Sequence, residues 1–150
     1  MHIKNVVESL CNKYMTRDPY ELAACENIKI VELPLGGIKG YYSTCYKQKI
    51  IHINSDFSEH EQLLTCAHEL GHGILHPDSN TPFLRANTLF PIGRFEKEAE
   101  HFAVNLLYSD EEMQEYLEYS TPQIADCLRI SIPLVEYRIS VMEKQLRFSE

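Results

Sequence analysis

Apolar residues recur along this chain with two different periods, and the switches between them divide the sequence. Ile3, Val6, Val7, Leu10 and Tyr14 return every three or four positions, the spacing of one helical face. Asp18-Pro19 then offers an N-cap and a proline at the first helical position, predicting a short helix through Cys25. From 28 to 54 the period drops to two. Ile28–Leu33 alternates and stops at Pro34, Tyr41–Tyr46 is rich in β-formers, and Lys49–Asn54 alternates again. Gly36, Gly37 and Gly40 break the chain between the first two runs, and 46–49 is short enough for a hairpin turn. The three runs predict a small three-stranded antiparallel sheet.

The helical period returns after Ser58-Glu59-His60-Glu61, a capping-box sequence. Leu63, Leu64, Ala67, Leu70, Gly71 and Ile74 form an apolar side that Pro77 brings to an end. Residues 77–93 make a long connection with three prolines, whose Phe83, Leu84, Leu89 and Phe90 either fill the core or line a cleft. A helix from 94 to 108 follows, with Phe95, Ala99, Phe102, Ala103, Leu106 and Leu107 as its apolar stripe. Asp110-Glu111-Glu112 caps a further helix to Tyr119. Thr121-Pro122 opens a helical pair, 121–150, that resembles a helix-turn-helix. Its second helix sets Arg138 and Lys144 against Glu136 and Glu143, so the pair reads as structural rather than as a DNA reader. The pattern is α+β, and 150 residues fit one domain, 1–150.

Charge and cysteine content narrow the picture. A net charge of −8 argues against nucleic-acid binding through the bulk surface. The five cysteines, Cys11, Cys25, Cys45, Cys66 and Cys127, are odd in number, scattered and without a C-x-x-C pair. They read as reduced intracellular thiols. Lys4 and Glu8 rule out a signal peptide at the amino end, and no apolar run suits a membrane span. The expectation is a cytoplasmic protein without membrane contact.

The chemistry gathers at Ala67-His68-Glu69-Leu70-Gly71-His72-Gly73. Residues four apart on a helix share a face, so His68 and His72 can address one metal ion. Glu69 is rotated by about 100° from His68 and flanks that face, where it serves as a general base. Cys66 falls about 200° away from His68 and reads as core. His52 alternates with Ile51 and Ile53 and reads as a solvated strand residue. His76 sits at the fraying helix end and is read as no ligand. A catalytic zinc takes three protein ligands and leaves one position open. Glu96 is the preferred third ligand, because it borders a stripe of alanines that lets its helix approach closely. Glu98, on the opposite border, competes with it. Glu100, one turn below Glu96, is placed to accept a hydrogen bond from a ligating histidine. Gly71 and Gly73 weaken the helix by about 1 kcal/mol each, which suggests close packing or close approach of a substrate. A substrate added as a strand along the sheet edge would reach the metal helix. Tyr41, Tyr42 and Tyr108 offer, by residue type, a further donor for an oxyanion.

Ala67-His68-Glu69-Leu70-Gly71-His72-Gly73-Ile74-Leu75-His76, followed by Phe95–Leu107 with its Glu96, Glu98 and Glu100, resembles the ImmA/IrrE family of zinc metallopeptidases. Asp18-Pro19, the strand ending Ile51-His52-Ile53-Asn54 and the tail from Ile124 to Arg138 resemble its phage-associated members. The resemblance covers nearly the whole chain. It implies a zincin-like minimal domain, Zn²⁺ held by His68, His72 and Glu96, and Glu69 as the base. It also implies an endopeptidase whose substrate is a helix-turn-helix transcriptional repressor. Glu100 stands where the family often has Asn or Asp, which changes the reach of that helper group. The rival reading is a non-proteolytic metal-binding module that regulates a partner by binding it. The intact Glu69 argues against that rival, since binding alone needs no base beside the metal.

Overall fold

A computed structural model describes residues 2–82 and 92–149, with Ile92 and 143–149 as backbone only. Phe83, Leu84, Leu89 and Phe90, and the side chains of Glu143 and Lys144, lie outside the described residues. The chain clusters into two compact units, residues 1–107 and 108–150.

The first unit runs α1 (Ile3–Tyr14), α2 (Pro19–Cys25), β1 (Ile28–Leu33), β2 (Gly40–Cys45), β3 (Gln48–Asn54), α3 (Glu59–Leu75) and α4 (Ile92–Leu107). Helix α1 buries Ile3, Val7 and Leu10 and ends where Met15 turns left-handed. Helix α2 starts as expected, with the Asp18 carboxylate accepting from the Tyr20 N–H. Between them, Arg17 donates to the carbonyls of Asn105 at 2.7 Å and Leu106 at 3.2 Å while pairing with Glu8. A cation thus sits at the negative end of α4, which ties that helix to the amino-terminal one.

The sheet is mixed rather than antiparallel throughout. Its order is β1-β3-β2, with β3 parallel to β1 and antiparallel to β2. Strand β3 takes the centre and is the most buried of the three, with Ile51, Ile53 and Asn54 fully buried. The β2–β3 turn is two residues, Tyr46 and Lys47, both at positive φ, the geometry that matches strand twist in a tight hairpin. The 34–39 loop instead spans the width of β3. Asn54 holds it there, its side-chain amide donating to the carbonyls of Gly36 and Ile38.

Helix α3 begins as its sequence suggests, with Ser58 Oγ accepting from the Glu61 N–H. Its two glycines face different layers. A Cβ on Gly73 would lie 3.0 Å from Ile28 and 3.2 Å from Tyr42, so this glycine seats the helix on the sheet. A Cβ on Gly71 would lie 3.0 Å from Phe102 and 3.2 Å from Ala99. The missing side chain there brings α3 against the alanine stripe of α4. Both glycines serve close packing. Cys66 of the same helix is fully buried, and burial pushes its thiol far up.

The second unit holds α5 (Asp110–Gln114), α6 (Thr121–Leu128) and α7 (Ile132–Ser149) around Met113, Ile124, Leu128, Val135 and Met142. Helix α5 stops well short of Tyr119. Tyr116 and Leu117 bond to carbonyls three residues back, the tighter winding that ends helices. Ser109 and Ser120, one residue ahead of the expected positions, are the caps of α5 and α6. Arg138 is turned inward, donating to the Tyr108 carbonyl and to Asp110. The cation that a DNA-reading helix would present is therefore spent on packing.

Candidate metal centre

Helices α3 and α4 converge on one cluster. His68 Nε2 lies 2.9 Å from one oxygen of Glu96, and His72 Nε2 lies 3.1 Å from the other. The three donor atoms fall within 4.8 Å of one another. The helical period explains two of them, and the close approach at Gly71 delivers the third. Two imidazole nitrogens and a carboxylate are the donor set of a catalytic zinc site. Ligands at about 2.0 Å from a tetrahedral ion stand roughly 3.3 Å apart, and the three donors here lie within 4.8 Å of one another. The residues present therefore fit a metal ion.

Glu69 is buried beside this cluster, with one carboxylate oxygen 4.0 Å from His68 Nε2. Its other oxygen lies 3.4 Å from the Thr81 hydroxyl. A cleft of 360 Å³ opens on this side. Ile38, Gly40, Glu61, Leu64 and Glu100 wall it, and His68 and Glu69 reach into it. Gly40 fits that wall because any Cβ there would lie 2.5 Å from the His52 carbonyl and 2.7 Å from Thr65.

The other glutamates divide differently from the sequence expectation. Glu98 accepts a hydrogen bond from His76 Nε2 at 3.0 Å and is not in the three-donor cluster. Glu100 stands exposed on the cleft wall. The group that meets the other ring nitrogen of His72 is His76, with their Nδ1 atoms 3.1 Å apart. His76 is the C-cap of α3, yet its side chain is only 8% exposed. Burial pushes its imidazole below the ordinary value, against the pull of Glu98. The signal for it was present in the sequence, since His68, His72 and His76 form one series at four-residue spacing.

The sheet edge is also used differently. Tyr42 of β2 has its N–H bonded to Thr81 Oγ1 at 2.9 Å, and the Thr44 N–H goes to Asn80 Oδ1 at 2.9 Å. A substrate strand cannot pair at those two positions while the chain's own side chains hold them. The cleft lies instead at the Gly40 end of the same strand. Two of the three tyrosine hydroxyls are engaged elsewhere. The Tyr42 and Tyr108 hydroxyls donate to the carbonyls of Pro77 and Leu128, and Tyr41 stacks on His52 at 4.3 Å. His52 is half-buried rather than solvated, and lies outside the metal cluster.

Residues 23–140 match the peptidase family described as the IrrE N-terminal-like domain. The chain belongs to that family. Its relatives include the metallopeptidase ImmA of Bacillus subtilis (strain 168), 31% identical over 144 residues, 92% of this chain and 84% of that protein. A second, the uncharacterized immunity region protein 2 of Bacillus phage phi105, is 44% identical over 115 residues, 76% of this chain and 73% of the phage protein. The IrrE-like family is one of metallopeptidases, which agrees with a His/Glu cluster able to hold a metal ion. Among the described residues, no helix is long and apolar enough to cross a membrane.

Proposed function

We propose that this chain is a zinc-dependent endopeptidase that cuts one specific cytoplasmic protein, a helix-turn-helix transcriptional repressor. The observation that carries the reading is the position of Glu69. It is a buried carboxylate beside three convergent metal donors, and it reaches into a cleft. In this reading His68, His72 and Glu96 hold the ion. Zinc, when bound, supplies an acidified water and polarises the scissile carbonyl. Glu69 takes the proton from the attacking water and passes it to the leaving amine. The Thr81 hydroxyl lies 3.4 Å from the Glu69 carboxylate and can donate to it.

The repressor as substrate is supported by the kinship with a phage immunity region protein and with ImmA. The matched span runs through both compact units, which supports one metallopeptidase domain with a structural helical pair at 121–150. We propose no role for nucleic acid or membrane. The test is a search for a repressor gene beside this one, followed by incubation of the zinc-loaded protein with that gene's product, read by mass spectrometry of the products. Wild type cuts at one bond, and Glu69→Gln keeps one zinc per chain while its rate falls by about 10²–10⁴. Equal cleavage by both proteins ends the enzyme reading. Tight binding of the repressor without cleavage by either favours the regulatory module.

A further inference from the structure

Metal-ligating histidines usually hand their second N–H directly to a carboxylate or a carbonyl, which fixes the tautomer. Here the carboxylate stands one residue further away. The contacts run from Glu98 Oε1 to His76 Nε2 at 3.0 Å, and from His76 Nδ1 to His72 Nδ1 at 3.1 Å. His72 Nε2 then faces Glu96. The path is sheltered. The His72 side chain is fully buried, that of Glu98 is 16% exposed, and the Phe95 ring lies 4.4 Å from that of His76.

With both histidines neutral, the direction of every hydrogen in this path follows from the end that cannot donate. An ionised carboxylate only accepts, so His76 Nε2 carries the proton. A neutral imidazole has one N–H, so His76 Nδ1 is an acceptor. His72 must then carry its proton on Nδ1. That leaves a lone pair on His72 Nε2, opposite the Glu96 carboxylate. Two acceptors 3.1 Å apart repel each other unless a cation lies between them. Reversing the path would put the proton on Nε2 and leave no lone pair for a metal.

We infer that His76 and Glu98 are positioning residues that fix the His72 tautomer and so aim its Nε2 at the metal. The inference rests on the metal site proposed above. It also changes what α4 contributes. That helix supplies a ligand, Glu96, from one border of its apolar stripe and the anchor of the relay, Glu98, from the other. Helix α3 supplies two ligands and the middle of the relay. The two helices are thereby fastened at two points, and a metal ion would lock a pairing already set by hydrogen bonds.

The test uses the full chain and zinc itself. Zinc affinity is measured by competition with a chromophoric chelator. In parallel, long-range proton–nitrogen spectra of the zinc-loaded protein report which ring nitrogen carries each histidine proton. We expect His72 protonated on Nδ1, and a zinc affinity reduced about 10–100-fold in His76→Ala. Glu98→Ala loses affinity in the same direction. His76→Gln recovers part of it, because its amide oxygen can accept from His72 Nδ1–H. Thermal melts of the chelated variants separate this effect from simple unfolding. An unchanged affinity in folded His76→Ala overturns the inference, as does a His72 proton on Nε2 in the wild type. The spectrum needs no variant, so it stands even if His76→Ala does not fold. Failure of the wild type to bind zinc overturns the metal site itself, a distinguishable result.

Discussion

His68 and His72 sit one turn apart on the same helix and face the same carboxylate, yet their surroundings have little in common. His72 is fully enclosed, backed by His76 and Glu98, and packed where α3 meets α4. His68 keeps 19% of its side-chain surface and borders the cleft together with Glu69. One flank of the site is core and the other is open to a substrate. The difference teaches how a small domain divides the work. Of the two candidate ligands, the enclosed one is where packing density and hydrogen bonds can hold a side chain fixed. The cleft side carries half-buried Glu61 and exposed Glu100 on its wall.

The contrast can be broken most severely at the two histidines proposed as ligands. We expect both His68→Ala and His72→Ala to lose stoichiometric zinc in an elemental assay. Only His72→Ala should also lower the stability of the chelated protein, by about 2–4 kcal/mol, because it leaves a cavity and strands His76. A denaturant titration of the two metal-free variants checks this, and equal stabilities would mean that the two flanks do not differ. A smaller effect follows from pressing the core flank apart. Gly71→Val adds a branched side chain where Phe102 and the Ala99 backbone already stand close. The expected cost is about 1–3 kcal/mol, read as a lower melting temperature, with weaker zinc binding as α4 is pushed away. The smallest effect belongs to the open flank. Glu100→Gln should leave zinc affinity within about threefold of wild type, since this exposed group is not among the three donors. A tenfold loss would return Glu100 to the helper role that its spacing suggested.

Much of the site was legible because it is local. The four-residue spacing of His68 and His72 sets their shared face, and Glu69 follows from the same helix. Glu96 was accessible through its neighbours, since the alanines beside it marked the closely packed border. Glu98 and Glu100 were harder to assign. On one helix they occupy opposite borders of the apolar stripe, and which border meets His76 depends on how α4 is set against α3. The relay through His76 was hidden for a similar reason. A histidine at a helix end reads as frayed until a second helix buries it. The sheet was the larger correction. Three strand-like runs do not state which one lies in the middle. The two-residue turn at Tyr46-Lys47 forces β2 beside β3, but the 34–39 loop leaves β1 free to pair on either side.

Sequence alone therefore determined the elements, the motif and the donor types, because these depend on periodicity, capping and side-chain chemistry within a few residues. It determined the two glycines that permit close packing, but not which layer each one meets. Only the tertiary structure decided the strand order and the division of labour among three glutamates. It also decided that Asn80 and Thr81 hold part of the β2 edge and that His72 is backed by a second histidine. Each of those depends on contacts between groups far apart in the chain. Such contacts are set by how whole surfaces fit together, and no local pattern encodes that fit.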